Sequence, residues 1–160
     1  MSVYDKLKEC GIELPGFNNP AANYSPAVRS GDMIYTAGQT PKSGGQLVQK
    51  GKLGKEVDAE QGYGLAKLCA LNCLTIIDHY AGGLDNVEAI VKMTVFLNAV
   101  EDYTDHPKVA NGASDLLVQL FGKNGCPARS AVGAGSLPGG APCEIEMIVK
   151  LKDASIPPKA

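Results

Sequence analysis

The chain has 160 residues and a formal net charge of −2, with 15 Lys and Arg residues scattered among 17 Asp and Glu residues. A chain of this length typically forms one domain, whose core needs neither disulfides nor metals. Because the charge is slightly negative and no basic stripe is present, nucleic acid is not expected as a partner.

Cysteine usage and the polar start of the chain predict a cytoplasmic protein with free thiols. The five cysteines form no Cys-x-x-Cys pair, and no signal peptide is expected before them. No apolar run approaches the roughly 18 residues that a membrane span requires, so no membrane association is expected.

The first part of the chain predicts a helical extension followed by a β-hairpin. Residues 3–10 favour a short helix within an N-terminal extension over residues 1–18. A hairpin then runs from Val28 through a turn at residues 30–32 to Ala37. Gly38 follows directly, where backbone can approach a ligand closely; a β-bulge is the alternative, and the two are compatible. The glycine-rich stretch 42–54 predicts a loop with a possible edge strand at residues 46–49.

A long amphipathic helix is predicted next. Asp58 and Gln61 form a capping-box pattern, and Gly82 stops the helix after about Tyr80. Cys69 and Cys73 share one helix face, a spacing that can hold a metal, but no partner ligand lies near them in sequence. We therefore expect them to be buried as small apolar residues.

The remaining elements predict a strand at residues 89–99, a helix from His106-Pro107 to Gly122, and two final strands. The order β-β-α-β-α-β-β favours an α+β fold with two layers, in which two helices cover one face of a sheet of five to six strands. The single domain is expected over residues 19–152, followed by a flexible tail at 153–160. His79, at a helix end, is expected to meet the last carbonyls. His106, at a helix start, is expected to face solvent.

The last two strands carry the candidate site. Since side chains alternate, Arg129 shares a face with Ala131, Gly133 and Gly135, which leaves room for a small anion beside a guanidinium. Glu144 and Glu146 share one face of the last strand. A hairpin-type connection would allow Arg129 and a glutamate to lie on the same sheet surface. The alternative is a solvated face with weak cross-strand ion pairs.

These segments resemble the RidA/YjgF family of reactive-intermediate deaminases. The C-terminal pattern consists of Pro-Ala-Arg-Ser-Ala-Val at 127–132, Leu-Pro at 137–138 and Glu-Ile-Glu at 144–146. Ala-Gly-Gln-Thr-Pro at 37–41 and the strand at 91–97 resemble earlier family segments, as do Asn-Pro-Ala-Ala at 19–22 and Ser-Pro at 25–26. As an ordered set spanning residues 19–151, these motifs are specific.

The resemblance implies a homotrimer with a chorismate mutase-like fold and ligand clefts at the subunit boundaries. It implies hydrolysis of enamine or imine acids such as 2-aminoacrylate to 2-keto acids and ammonia, without a metal or organic cofactor. Arg129 would bind the substrate carboxylate, Gly38 would supply backbone contact, and Glu144 would be the active-site acid.

Two departures from the family pattern indicate a divergent branch. Ala131 stands where many deaminating members have Cys, and Ala27 where they have Tyr. Tyr24 is a candidate to fill part of that space. Two other functions therefore remain open: a trimer that binds small carboxylates without catalysis, and the endoribonuclease or translation-inhibitor activity named for parts of the family, against which the acidic charge weighs.

Overall fold

The fold is described for residues 1–160 from a computed structural model. In chain order, its elements are α1 (Val3–Glu9), β1 (Ala27–Ser30), β2 (Met33–Thr36), β3 (Lys42–Ser43), β4 (Gln46–Leu47), α2 (Ala59–Ala81), β5 (Val87–Asn98), α3 (His106–Phe121), β6 (Ala128–Ala134) and β7 (Cys143–Leu151). Single 3₁₀ turns at Leu84–Asn86, Gly122–Gly125 and Pro138–Gly140 precede β5, β6 and β7.

Five strands form one mixed sheet in the order β1-β2-β7-β5-β6. All neighbours are antiparallel except β5 and β6, which are parallel because α3 makes the crossover between them. Strands β3 and β4 pair only with each other. The predicted two-layer α+β fold is thus confirmed, with a sheet of five strands.

The hairpin expected between the last two strands is not formed. Strand β5 lies between β6 and β7 and pairs with both. The segment 135–142 therefore crosses over a strand, which the Pro and Gly content of the segment could not reveal.

The core lies between one face of the sheet and the helices. Met93 on β5 pairs with Met147 on β7, and both side chains are buried under the helical layer. Cys69 and Cys73 of α2 are fully buried, as predicted, and their thiols contact β7. The other sheet face carries no helix, and we call it the open face.

Helix boundaries follow the predicted caps closely. Asp58 and Gln61 form the capping box of α2, and Gly82 ends the helix in the left-handed conformation with φ 72°. At the start of α3, Asp105 occupies the N-cap position without a side-chain capping bond.

The C-terminal segment differs from the flexible tail that was expected. Arg29 donates to the carbonyl oxygens of Ile156 and Ala154, at 2.7 Å in each case. Lys159 pairs with Asp78 on α2 at 2.6 Å. The segment therefore packs on the C-terminal end of α2 through specific contacts.

The two histidines make other contacts than those expected. The His79 ring stacks on Phe17 at a centroid distance of 4.0 Å and does not cap carbonyls. His106 begins α3 and packs edge-on against Tyr103, so it does not simply face solvent.

Candidate functional site

Gly38 and Glu144 are brought together by two backbone hydrogen bonds between the chain after β2 and strand β7. Gln39 donates to the carbonyl of Ile145 at 2.8 Å and accepts from its amide at 2.9 Å. A Cβ built on Gly38 would overlap Oε1 of Glu144 and lie 2.9 Å from its Cδ. Gly38 is therefore glycine because the Glu144 carboxyl occupies the space of a side chain.

Glu144 is a partly buried carboxyl without a partner in the protein. It makes no salt bridge, since the four ion pairs of the chain involve other residues. Burial raises its pKa, and the nearby negative charge of Glu146 raises it further. A carboxyl tuned in this direction can exchange a proton with a substrate or water nearer to neutral pH than an exposed one can.

Glu146 lies on the same face as Glu144, as predicted. It pairs with Thr94 of β5, and together with Tyr35 and Lys92 it lines a cavity of 220 Å³ on the open face. The Lys92 ammonium donates to the Ser130 hydroxyl at 3.1 Å. The open face thus carries both acidic side chains of the last strand.

Arg129 lies on the opposite face of the sheet. It pairs with Met93, which is buried under the helices, and its Nη1 donates to Asn111 Oδ1 at 2.8 Å and Ser114 Oγ at 3.0 Å on α3. The expectation that Arg129 shares a sheet surface with Glu144 or Glu146 is therefore wrong for a single chain.

The small residues beside Arg129 do not leave a continuous open cleft. Ala131 packs against the core, and a Cβ on Gly133 would lie 3.1 Å from the His106 ring nitrogen Nε2. Only Gly135 faces empty space. The predicted face is correct, but α3 and His106 use most of the room that its small residues leave.

Tyr24 precedes β1 and is 58% exposed, with no side-chain hydrogen bond. Ala27 is buried and pairs with Thr36, so it is part of the core. A ligand role for Tyr24 stays a prediction.

Two polar residues of α3 that were not predicted as site residues contact Arg129. Asn111 and Ser114 are three residues apart on one helix face and both accept from Arg129. Parallel pairing of β6 next to α3 creates this contact. A polar pair at this spacing on a helix just before the Arg strand was the signal available in the sequence.

The remaining features concern metal ligands and the apolarity of the helices. No group of three or more His, Cys, Asp or Glu side chains is placed to hold a metal ion. None of the helices has the length and apolarity needed to cross a membrane.

The fold and the motif residues agree with comparisons to known proteins. The model of the YjgF/chorismate mutase-like, putative endoribonuclease family matches residues 4–151. The chain belongs to this family. The match begins within α1, so the family pattern covers most of the extension that was expected to lie outside it.

Individual YjgF-like proteins resemble the chain over nearly its whole length. Protein TCP17 of Trypanosoma cruzi is 38% identical over 152 residues, which cover 94% of this chain and 95% of that protein. The crystal structure of a putative endoribonuclease from Shewanella oneidensis is 29% identical, has a TM-score of 0.90, and covers 94% of this chain and 100% of its own. TdcF of E. coli, solved with bound serine, is 27% identical with a TM-score of 0.53, over 85% of this chain and 91% of its own.

Proposed function

We propose that the protein hydrolyses small enamine or imine acids, of the 2-aminoacrylate type, to 2-keto acids and ammonia. The observation that carries the proposal is the Glu144 carboxyl, which lies against Gly38 without a protein partner and has a raised pKa. The resemblance of the motif residues to the RidA/YjgF deaminases implies the same class of function.

For hydrolysis of an imine acid, the protein has to orient the substrate and a water molecule and to transfer a proton. The imine carbon is already electrophilic, so a water molecule placed beside Glu144 can add to it as the carboxylate accepts a proton from that water. Glu144 then returns that proton to nitrogen, which gives a neutral carbinolamine. The hydroxyl proton moves to nitrogen as the C–N bond breaks, and a ketone and ammonia are released. Water is consumed, ammonia is released, and no electrons are exchanged.

The second half of the site would come from another copy of the chain. Arg129 cannot reach a ligand at Glu144 of its own chain because the sheet separates them. Its fork can bind a carboxylate in two-pronged fashion in a cleft between subunits. The open face supports self-association, since Val28, Tyr35 and Val132 are 57%, 45% and 43% exposed there. A homotrimer is the assembly we propose.

The direct test is the release of ammonia from 2-aminoacrylate that is generated in the assay by a second enzyme. We expect the protein to accelerate release, Glu144→Gln to abolish the acceleration, and Arg129→Ala to weaken it through binding. Glu101→Gln, a change at an exposed glutamate away from Gly38, is the matched control. If the parent protein leaves the spontaneous rate unchanged, hydrolysis of this substrate class is wrong.

The second candidate is a trimer that binds small carboxylates without turning them over. Ala131 and Ala27 favour it because they replace the Cys and Tyr of many deaminating members, and the serine bound to TdcF shows that a relative of this fold holds a small amino acid. Calorimetric titration with pyruvate and 2-oxobutyrate separates the two candidates. Binding that requires Arg129, without ammonia release, would establish the second.

RNA cleavage is the activity that the family description and several neighbours name. The net charge of −2 provides no favourable phosphate field, so we rank this activity lowest. Cleavage of RNA that persists in Arg129→Ala and through further purification would reverse this ranking.

A further inference from the structure

A second candidate site lies at the C-terminal ends of the parallel strands β5 and β6. Lys52, Tyr103, His106 and Gly135 are among the residues that line a cavity of 710 Å³ there. Gly135 follows β6 and is six residues from Arg129, about 20 Å along an extended chain. Neither Glu144 nor Gly38 is among the residues that line this cavity, so it is a different site from the one proposed for hydrolysis.

Lys52 is a partly buried cation without an acidic partner. Its ammonium donates to Asn98 Oδ1 and to the carbonyl oxygen of Gly135, at 2.7 Å in each case, and belongs to none of the four ion pairs. Both acceptors are neutral, and Asn98 is buried. An ammonium has three N–H donors, so one remains for a ligand.

Neighbouring side chains add a further donor, and Asp105 and Asp58 lie close enough to Tyr103 for their charges to raise its pKa. Tyr103 lines the cavity, and its hydroxyl is the one buried side-chain polar atom that has no hydrogen-bond partner. The His106 ring packs against Tyr103 and lies beside Gly133. The acidic side chain of the lining is Glu101, which is exposed and forms no ion pair.

Space for a ligand exists at Gly135. A Cβ there would meet no atom within 4 Å, and the residue does not adopt a left-handed conformation. A small group can therefore reach the Lys52 ammonium past this backbone.

We propose that Lys52 is the anchor of a binding site for a small oxyanion, a phosphate or carboxylate group, at the ends of β5 and β6. A charged donor fixed by two neutral acceptors is prepared to bind an anion, because its geometry is already set and its charge is not compensated by the protein.

The test is a titration of the full chain with sodium phosphate and, separately, sodium acetate, followed by amide chemical shifts. Sodium chloride keeps the ionic strength constant, so that general screening does not contribute. We expect saturable shifts at Lys52, Gly133 and Gly135. Saturation by phosphate alone would identify phosphoryl groups as the ligands, and saturation by both would identify small oxyanions in general.

Two variants and one control make the assignment specific. Lys52→Met removes the charged donor and should weaken binding about tenfold or more. Gly135→Leu fills the cavity while it leaves the bonds of Lys52 in place, and should also weaken binding if Lys52→Met proves unstable. Lys67→Met is the control, since Lys67 is a similarly exposed lysine of α2 that forms no ion pair. Chemical shifts that do not saturate would overturn the site. So would a loss of affinity in Lys67→Met as large as that in Lys52→Met, or an unchanged affinity in folded Lys52→Met and Gly135→Leu.

Discussion

Arg129 and Glu144 lie on opposite faces of the five-stranded sheet. Arg129 shares its face with the buried Met93, whereas Glu144 pairs with Phe96 on the open face. Two groups separated by a sheet cannot bind one small acid together. If both serve the same reaction, each site contains Arg129 of one copy and Glu144 of another.

Mixing two impaired variants tests this arrangement. Alone, Glu144→Gln should be inactive and Arg129→Ala strongly weakened. After joint unfolding and refolding, about a quarter of the subunit boundaries would combine an intact arginine with an intact glutamate. We therefore expect ammonia release to return in the mixture to about that fraction of the parent activity. Sedimentation of each variant provides the control for assembly. A mixture no more active than its components, with assembly intact, contradicts a shared site.

The raised pKa of Glu144 predicts whether its contribution to the free energy of unfolding rises or falls with pH. Burial and Glu146 raise its pKa above the ordinary 4.5, so the native state holds the proton more tightly than the unfolded chain does. As pH rises from 4.5 through the raised pKa, Glu144 therefore lowers the free energy of unfolding, and this loss remains above that range. Glu144→Gln should remove this contribution, which urea unfolding across this pH range can measure.

The raised pKa of Glu144 also predicts how kcat/KM falls on the acidic side of the pH profile, which we call the acid limb. If Glu144 accepts a proton from water, kcat/KM should rise as the carboxyl ionises, at a higher pH than for an ordinary glutamate. Glu146→Gln removes a negative neighbour and should move this limb to lower pH. Glu88→Gln, on a glutamate paired with Lys150, should leave it in place. If Glu146→Gln leaves the acid limb at the same pH, the group whose ionisation causes the limb is not Glu144.

Gly38→Ala tests the close contact with Glu144. The added methyl group would overlap the carboxyl, so we expect activity to fall and stability to drop by about 1–3 kcal/mol unless the flexible side chain swings away. Gly64→Ala in α2 is the matched control. A Cβ there meets nothing within 4 Å, and the change should stabilise the helix by about 0.5–1 kcal/mol. Parent-like activity in Gly38→Ala would show that the position of the Glu144 carboxyl is not critical.

Thiol reactivity should follow burial. Cys126 is exposed, whereas Cys69, Cys73 and Cys143 are buried. Burial raises the pKa of Cys73 to about 12 and that of Cys69 well above its usual range, so neither forms the reactive thiolate at neutral pH. A thiol reagent should modify Cys126 quickly in the native protein and the three core cysteines only after unfolding. Cys10 is partly exposed, so it is replaced together with Cys126. Rapid native modification of the double variant Cys10→Ser/Cys126→Ser would mean that the core opens more easily than its packing indicates.

Local sequence signals predicted the elements well and the sheet order poorly. The capping box at Asp58 and Gln61, the stop at Gly82 and the alternation along β6 are short-range features, and each was correct. The pairing of β5 between β6 and β7 depends on where α3 returns the chain, which no local pattern specifies. Arg129 was therefore placed correctly on its strand and wrongly relative to Glu144.

The α3 contacts of Arg129 lead to a final prediction about binding. Asn111 and Ser114 hold Nη1, so they fix the plane of the guanidinium, and neither uses Nη2. Asn111→Ala and Ser114→Ala should leave the charge in place but loosen the fork. We expect each to raise KM several-fold with a smaller effect on kcat, and Arg129→Lys to bind more weakly than either because a lysine has no fork.

The contacts of Arg129 with α3 also indicate how large the loss of affinity should be and which variant can serve as a control. Arg129→Ala removes up to two charge-assisted bonds to a ligand, worth about 1.5–3 kcal/mol each, and should exceed the α3 variants. Asp115→Asn changes a neighbouring α3 residue that bonds Tyr63 and does not contact Arg129, so it should behave like the parent. Calorimetric titration with pyruvate measures the affinities of the parent and the five variants on one scale. If Asn111→Ala and Ser114→Ala bind like Asp115→Asn, the contacts support only the packing of β6 against α3. Orientation of the guanidinium would then depend on the neighbouring subunit.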